Sequence, residues 1–406
     1  MPTSASGPPT FVTTRADGDA PTGPGGPTTW FLSPRRELRG AGVALVIDVP
    51  APWVEHLDVV GDALEALDVV DDVVAAGSGP VAFASLPFDR AAPARFLVPA
   101  ILWGSTAEGA RWCTHADGLD PGADPLTPSH ATEAAELRIR STVPADEWCA
   151  SVVEATRRIR AGELTKVVLA RRLEVVGDTD LDAASIGSRL AAAHPHGLRF
   201  AVDGLVGASP ELLVSRIDDV VRAHPMAGTT PRTGDPRADA QQAAELLAST
   251  KNRAEHQITI DMVHDTLLRW CSYLDAEPSP SVVDAGSVQH LATLVEGRLS
   301  HPAPSVLELV AALHPTPAVG GWPRDEALDL IGQLEPDGRG RYAGPVGWVD
   351  RAGNGAWAVG IRSAEISGRT AIVHAGVGVV ADSDPLAELE ETRAKFAATL
   401  PSIVRL

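Results

Sequence analysis

The stretch RFAVDGLVGASPELLVSRIDDVVRAHPMAG, residues 199–228, reads as several short strands joined by tight turns. Upstream, TKVVLARRLEVV is a further strand. It follows the segment ADEWCASVVEATRRIRAGEL, whose Trp148, Val152, Ala155 and Ile159 share one helical stripe and whose Gly162 stands where a helix would end. Downstream, PRADAQQAAELLASTKNRAEHQITIDMVHDTLLRWC reads as two helices, and SVLELVAAL and PRDEALDLIGQL as two more. AGPVGWVD, GAWAVGIRSAEI and RTAIVHAGVGVV are strands, and a last helix runs from about Pro385 to Leu400. Nearer the start, GVALVIDV, PVAFASLPF and ARFLVPAILWG read as strands, with HLDVVGDALEALDVVDDVVA as a helix among them. Strands and helices mix without strict strand–helix–strand alternation. That predicts an α+β body with mainly antiparallel sheet rather than a doubly wound fold.

The 406 residues suffice for two ordinary domains or one large body, and a composition of 44% hydrophobic and 21% charged residues is that of a globular protein. A formal net charge of −19 argues against a general nucleic-acid binder, which needs a basic surface. It also requires any anionic substrate to be held by local positive charge or a metal. Cys113, Cys149 and Cys271 are odd in number and widely spaced, with no zinc-like pattern, so reduced thiols in a cytoplasmic protein are expected. No apolar run approaches a membrane span, and the first residues lack the layout of a secretory signal. Residues 1–28, rich in Pro, Gly, Thr and Ser, read as a disordered lead-in; the stretch THADGLDPGADPLTPSHATEA reads as a bridge between two subregions.

Two acidic helices carry the chemistry. In PLAELEETRAKF, residues 385–396, Leu389 and Phe396 lie on an apolar stripe continued by Leu400, and Glu388, Glu391 and Lys395 project from the other side. Taken alone, this is a solvated face with an i, i+4 ion pair between Glu391 and Lys395. In STKNRAEHQITIDMVHDTL, Ile260, Val263 and Leu267 form the buried stripe with Trp270 beyond them, and Glu255 and His256 lie off it. Carboxylates from two helices remote in sequence suit Mg²⁺, which takes a few hard oxygen ligands and fills its octahedron with water and substrate. Spacing alone leaves open whether the two helices meet.

The words LTKVVLARR, GASPELLVSR, HPMAGTTPR, KNRAEH, LHPTPAVGG, RGRYAGPVGW, GIRSAE, AGVGVV and ELEETRAK occur in the order found in chorismate-utilising enzymes. The chain closely resembles the isochorismate synthases of that family, densely over residues 145–402 and less typically over 29–140, where FLSPRREL and FASLPFD carry the likeness. The resemblance implies one large α+β domain over residues 29–406, with two facing, mainly antiparallel sheets surrounded by helices and a cleft between them. It implies Mg²⁺-dependent conversion of chorismate to isochorismate, with water attacking ring C2 while the C4 hydroxyl leaves. The product would feed menaquinone, siderophore or salicylate synthesis.

By the same resemblance Lys166 matches the general base. Read by itself it is an edge-strand lysine that discourages strand pairing. A lysine deprotonates water only while its amine is neutral, a state favoured by burial and nearby cations. Glu211 matches the general acid, a role that needs a carboxyl still protonated near neutral pH; by itself it is a glutamate at a strand start. Glu255 and Glu391 match Mg²⁺ ligands, with Glu388 beside them, and Asn252 stands where some relatives carry another carboxylate. Tyr342, Arg362 and Lys395 match positions that hold substrate carboxylates, a guanidinium fork suiting a carboxylate bidentately. Gly376 and Gly378 would let backbone N–H groups approach an anion, though two strand glycines can equally mark a bulge. Gly228 and Thr229 match a loop lining the substrate ring. His290 matches a wall of the site, although a lone histidine is more often structural.

Within the family, aminodeoxychorismate synthases carry a lysine at the place of Met226, and the anthranilate and salicylate enzymes generally carry threonine at the place of Ala318. The resemblance therefore implies water as nucleophile and no glutaminase partner. A bifunctional salicylate synthase stays open as the alternative, as does a non-catalytic subunit of the same fold. Relatives of this kind are often monomeric, and a monomer is expected.

Overall fold

A computed structural model of the chain describes residues 9–16, 28–119, 136–286 and 288–404. Eight α-helices surround the sheets among these residues: α1 Asp58–Glu65, α2 Ala145–Arg160, α3 Ala183–Ala193, α4 Pro236–Ala248, α5 Thr250–Leu268, α6 Val306–Leu313, α7 Arg324–Leu334 and α8 Pro385–Val404. The strands form one sheet of 13, one of 9 and one of 3. Every pairing between described strands is antiparallel except that of Phe11–Arg15 with Val69–Asp71. The α+β class and the mainly antiparallel sheets are as expected.

The two large sheets face each other. Phe31, Leu38, Trp112 and Phe200 from the 13-stranded sheet pack in one buried cluster with Phe83, Val346 and Trp348 from the 9-stranded sheet. In the 9-stranded sheet, Val81–Ser85 and Pro345–Asp350 are buried at every position, which is why they read as continuous apolar runs.

The chain passes from one large sheet to the other at short, sharp crossings. Leu205–Ser209 belongs to the 13-stranded sheet and Leu212–Ile217 to the 9-stranded one, so Pro210 and Glu211 are the crossing. Gly355–Val359 and Ser363–Ser367 are divided in the same way, with Arg362 at the second crossing. The segment GAWAVGIRSAEI, expected as one strand, is therefore two. ARFLVPAILWG also divides, into Ala94–Val98 and Ile101–Thr106, on different sheets.

The helix expected over HLDVVGDALEALDVVDDVVA is confined to α1, and Val69–Asp71 follows it as a strand. The lead-in, expected to lack structure through residue 28, holds the strand Phe11–Arg15. It pairs with Arg111–Ala116 on one side and Val69–Asp71 on the other, and Phe11 is 1% exposed. Alternation of FVTTR seats Phe11 and Thr13 inward, a signal too short to stand out beside the Pro- and Gly-rich residues around it. The segment expected to bridge two subregions lies largely outside the described residues. The stripe Trp148, Val152, Ala155 and Ile159 is buried on α2, and Gly162 follows the helix with φ +78°.

Candidate active site

All fourteen residues singled out in the sequence line one cleft of about 300 Å³. Four parts of the fold bring twelve of them there, and Ala318 and Tyr342 come from the loops that follow α6 and α7. The long strand Lys166–Gly177 pairs along its length with Thr370–Val379, setting Val168 opposite Gly378 and Ala170 opposite Gly376. The two sheet crossings contribute Glu211 and Arg362. The 3-stranded sheet contributes Gly228, Thr229 and His290, with Thr229 and His290 in register. Helices α5 and α8 contribute Glu255 from one and Glu388, Glu391 and Lys395 from the other.

Local sequence fixes where both helices begin. Ser249 caps α5, its hydroxyl accepting from the Asn252 N–H at 3.3 Å. Asp384 precedes α8 and accepts from the N–H groups of Leu386 and Ala387 at 3.1 and 2.9 Å. Both acidic helices reach the same cleft, α5 with Glu255 and α8 with Glu388 and Glu391. The ion pair of Glu391 with Lys395 exists at 2.7 Å, but it faces the cleft rather than open solvent. Lys395 also donates to the Gly376 carbonyl at 2.8 Å.

Lys166 is 2% exposed, and its Nζ lies 2.7 Å from Glu255 Oε1. Burial works against charge on Glu255, but Lys166, through its charge and its hydrogen bond, together with Lys395 and Lys251 outweighs it and holds the carboxyl below its ordinary range. Gly378 makes room for this pair. A Cβ there would stand 2.9 Å from Lys166 Cε and 3.0 Å from Glu255 Oε1.

Glu211 is 3% exposed. Burial pushes its carboxyl up to about 8, against the pull of the Met226 backbone hydrogen bond and the Lys166 charge. The group is therefore mostly protonated at neutral pH and able to give up a proton. Arg362 is buried, and its Nε and Nη2 have no hydrogen-bond partner. Its φ of +51° is left-handed, at a cost on the order of 1 kcal/mol for a side chain with a Cβ. A buried guanidinium with two nitrogens unpaired, on a strained crossing, is a cation held ready for an anion.

His290 Nδ1 lies 3.1 Å from Thr229 Oγ1 and 3.3 Å from the Gly228 carbonyl. Burial, with the charges of Arg362 and Lys395, pushes this histidine down to about 3, so the imidazole is neutral. Tyr342 stacks on His374 with ring centroids 4.9 Å apart, and its hydroxyl is within 3.1 Å of where a Gly376 Cβ would stand. His256, expected off the buried stripe of α5, is buried at 1% exposure and bonds Thr293 Oγ1 at 2.8 Å. Periodicity misassigned it because the 3-stranded sheet covers that face of α5 as well as the stripe. Lys251 and Asn252 also line the cleft. Lys251 was missed, and the signal that could have found it is that the chain has only three lysines.

Glu255, Glu388 and Glu391 offer hard oxygen donors only. Burial raises the Glu388 carboxyl, a Ser383 hydrogen bond opposes that, and the charge on Glu391 adds to it. A divalent cation among them would relieve this repulsion, so the donor chemistry fits Mg²⁺. Among the described residues no three His, Cys, Asp or Glu side chains form a ready-made metal cluster. The protein would thus supply few ligands and leave the others to water and substrate.

The cleft does not lie between the two large sheets, as expected, because their facing surfaces are filled by packed side chains. Among the described residues no strand of the 9-stranded sheet lines it, and it opens between the 13-stranded sheet, the 3-stranded sheet and the two acidic helices. The chorismate binding enzyme family model matches residues 114–404, and the chain belongs to this family. It is 39% identical over 343 residues to MenF of Mycobacterium tuberculosis strain H37Rv, covering 80% of this chain and 87% of that one. It is 36% identical over 390 residues to the isochorismate synthase DhbC of Bacillus subtilis, covering 92% and 93%. In fold it is similar to MenF, the menaquinone-specific isochorismate synthase of Escherichia coli, with a TM-score of 0.81 at 24% identity over 98% of this chain and 96% of that one.

Proposed function

We propose that the chain is a Mg²⁺-dependent isochorismate synthase, an isomerase that moves the chorismate hydroxyl from ring C4 to ring C2. The observation that carries this reading is the meeting of the buried Lys166 and Glu211 in one cleft with three further glutamates. Water attacks C2 and Lys166 takes its proton. The double bonds shift, and the C4–O bond breaks as Glu211 protonates the departing hydroxyl, which leaves as water. The proton on Lys166 then returns to Glu211 through solvent, so atoms and charge balance.

Arg362, Lys395 and Tyr342 would hold the two substrate carboxylates, Arg362 through the nitrogens that lack partners. Gly228, Thr229 and the neutral His290 would line the ring. Glu255 and Glu391, with Glu388 beside them, would hold the metal. When bound, Mg²⁺ would neutralise these carboxylates and the substrate ring carboxylate.

Purified protein incubated with chorismate and Mg²⁺ in ¹⁸O-labelled water should yield isochorismate carrying one labelled oxygen at C2. No consumption of chorismate, or an unlabelled product, would refute the reading. Ala318 in the cleft wall favours release of isochorismate over the alternative of salicylate formation. Appearance of salicylate fluorescence without an added lyase would establish that alternative.

A further inference from the structure

The chain contains three lysines, Lys166, Lys251 and Lys395, while every other basic position among its 34 is arginine, and all three lysines line the same cleft. Two of them are engaged. Lys166 pairs with Glu255 and Lys395 with Glu391, each at 2.7 Å. Lys251 is different. It is exposed, in the first turn of α5, and among the described residues it has no ion-pair partner. It acts on Glu255 and Glu388 only through longer-range charge. Its position opposes the helix dipole, whose N-terminal end is positive and favours anions. The helix therefore gains nothing from this cation, and a chain that uses arginine almost everywhere keeps lysine here.

We infer that Lys251 is the receiving cation of the cleft. Its ammonium draws the dicarboxylate substrate toward the mouth against the field of a protein with net charge −19, then passes it inward to Arg362 and Lys395. A compact ammonium with rotating donors suits a ligand that must be released again, where a guanidinium fork would grip it. The inference rests on the chorismate reading above and adds a residue to it.

Steady-state kinetics over a range of ionic strength test it. Lys251→Gln should raise KM for chorismate about fivefold at low salt, the effect of one unit charge about 4 Å from an anion in water, with kcat moved less. Lys251→Glu should raise it about twentyfold, since it also adds repulsion. Lys251→Arg keeps the charge, so its KM should not rise, while its kcat should fall because the guanidinium fork lets the ligand go more slowly. The KM differences of the Gln and Glu variants should shrink in about 0.5 M salt. Because Lys166 is buried and the Lys395 side chain is 10% exposed, a limiting dose of an amine-acylating reagent should label the Lys251 side chain before the other two. Saturating chorismate should slow that labelling.

Parent-like KM values for the Gln and Glu variants at low salt, in a protein that turns chorismate over, would overturn the inference alone. Labelling of Lys251 at a rate indifferent to chorismate would do the same. A parent protein that neither binds nor consumes chorismate would overturn both this inference and the reading beneath it.

Discussion

Glu211 and Arg362 stand on adjacent crossings between the two large sheets, and two backbone hydrogen bonds tie those crossings together. The Val359 N–H donates to the Glu211 carbonyl, and the Ala208 N–H donates to the Arg362 carbonyl, both at 3.1 Å. The acid and the buried cation are therefore positioned by main chain on both sides. Side-chain rotamers add little freedom, because both residues are almost fully buried. Such fixed placement suits the proton transfer proposed for Glu211.

The protonation of Glu211 sets a pH limit. With its carboxyl at about 8, turnover should fall as pH rises through that value, and Glu211→Gln should lose turnover by about 10²–10⁴-fold. The same group acts on stability. Its folded value lies above the ordinary 4.5, so its contribution is fully present below 4.5 and is lost as pH rises toward about 8. Melting temperatures of the parent should decline across that window more than those of the Gln variant. Parallel declines would show that Glu211 is ionised in the folded protein.

Lys166→Ala should lower kcat by about 10²–10⁴-fold while circular dichroism stays that of the parent. The substitution leaves Glu255 without its partner at 2.7 Å, so a modest loss of melting temperature should accompany it. Retained turnover would remove the base assignment.

Chelation with EDTA should abolish turnover, and added Mg²⁺ should restore it. Glu391→Gln and Glu255→Gln should each weaken Mg²⁺ binding by at least about tenfold, read by calorimetry as well as by activity. Parent-like binding by both variants would place the cation elsewhere.

Gly378→Ala tests the room left for the Lys166–Glu255 pair. The added methyl would meet Lys166 Cε at 2.9 Å and Glu255 Oε1 at 3.0 Å, so the pair must shift. A 1 Å misplacement costs about 10²-fold in comparable cases, and kcat should fall by about that order with the fold intact.

Phe11→Ala should cost about 3 kcal/mol in denaturant unfolding, because the ring is buried in the main core cluster. A chain beginning at residue 29 should be destabilised at least as much, since it lacks the whole strand Phe11–Arg15.

The helices and the site were largely legible in the sequence, and the reasons are local. The stripe on α2 and the caps of α5 and α8 are encoded within a few residues, and the ordered motifs contain every cleft residue except His290, with Lys251 present in KNRAEH but given no role there. The sheet crossings were not legible. A strand that leaves one sheet for another keeps its apolar pattern, so GAWAVGIRSAEI and ARFLVPAILWG each look like one element. Nor was His256, whose burial comes from a sheet packed on a second face of α5 and not from its own stripe. Pairing of the Phe11 strand depends on residues 69–71 and 111–116, which no window around Phe11 contains.

The crossings also decide how the molecule can breathe. The polypeptide is stitched between its two great sheets near Gly42, near Pro99, at Pro210 and again at Gly360. Seams at several places forbid a jaw that swings on a single hinge. Traffic in and out of the interior must be managed at the threshold, by rim loops and helix ends shifting over an essentially rigid shell.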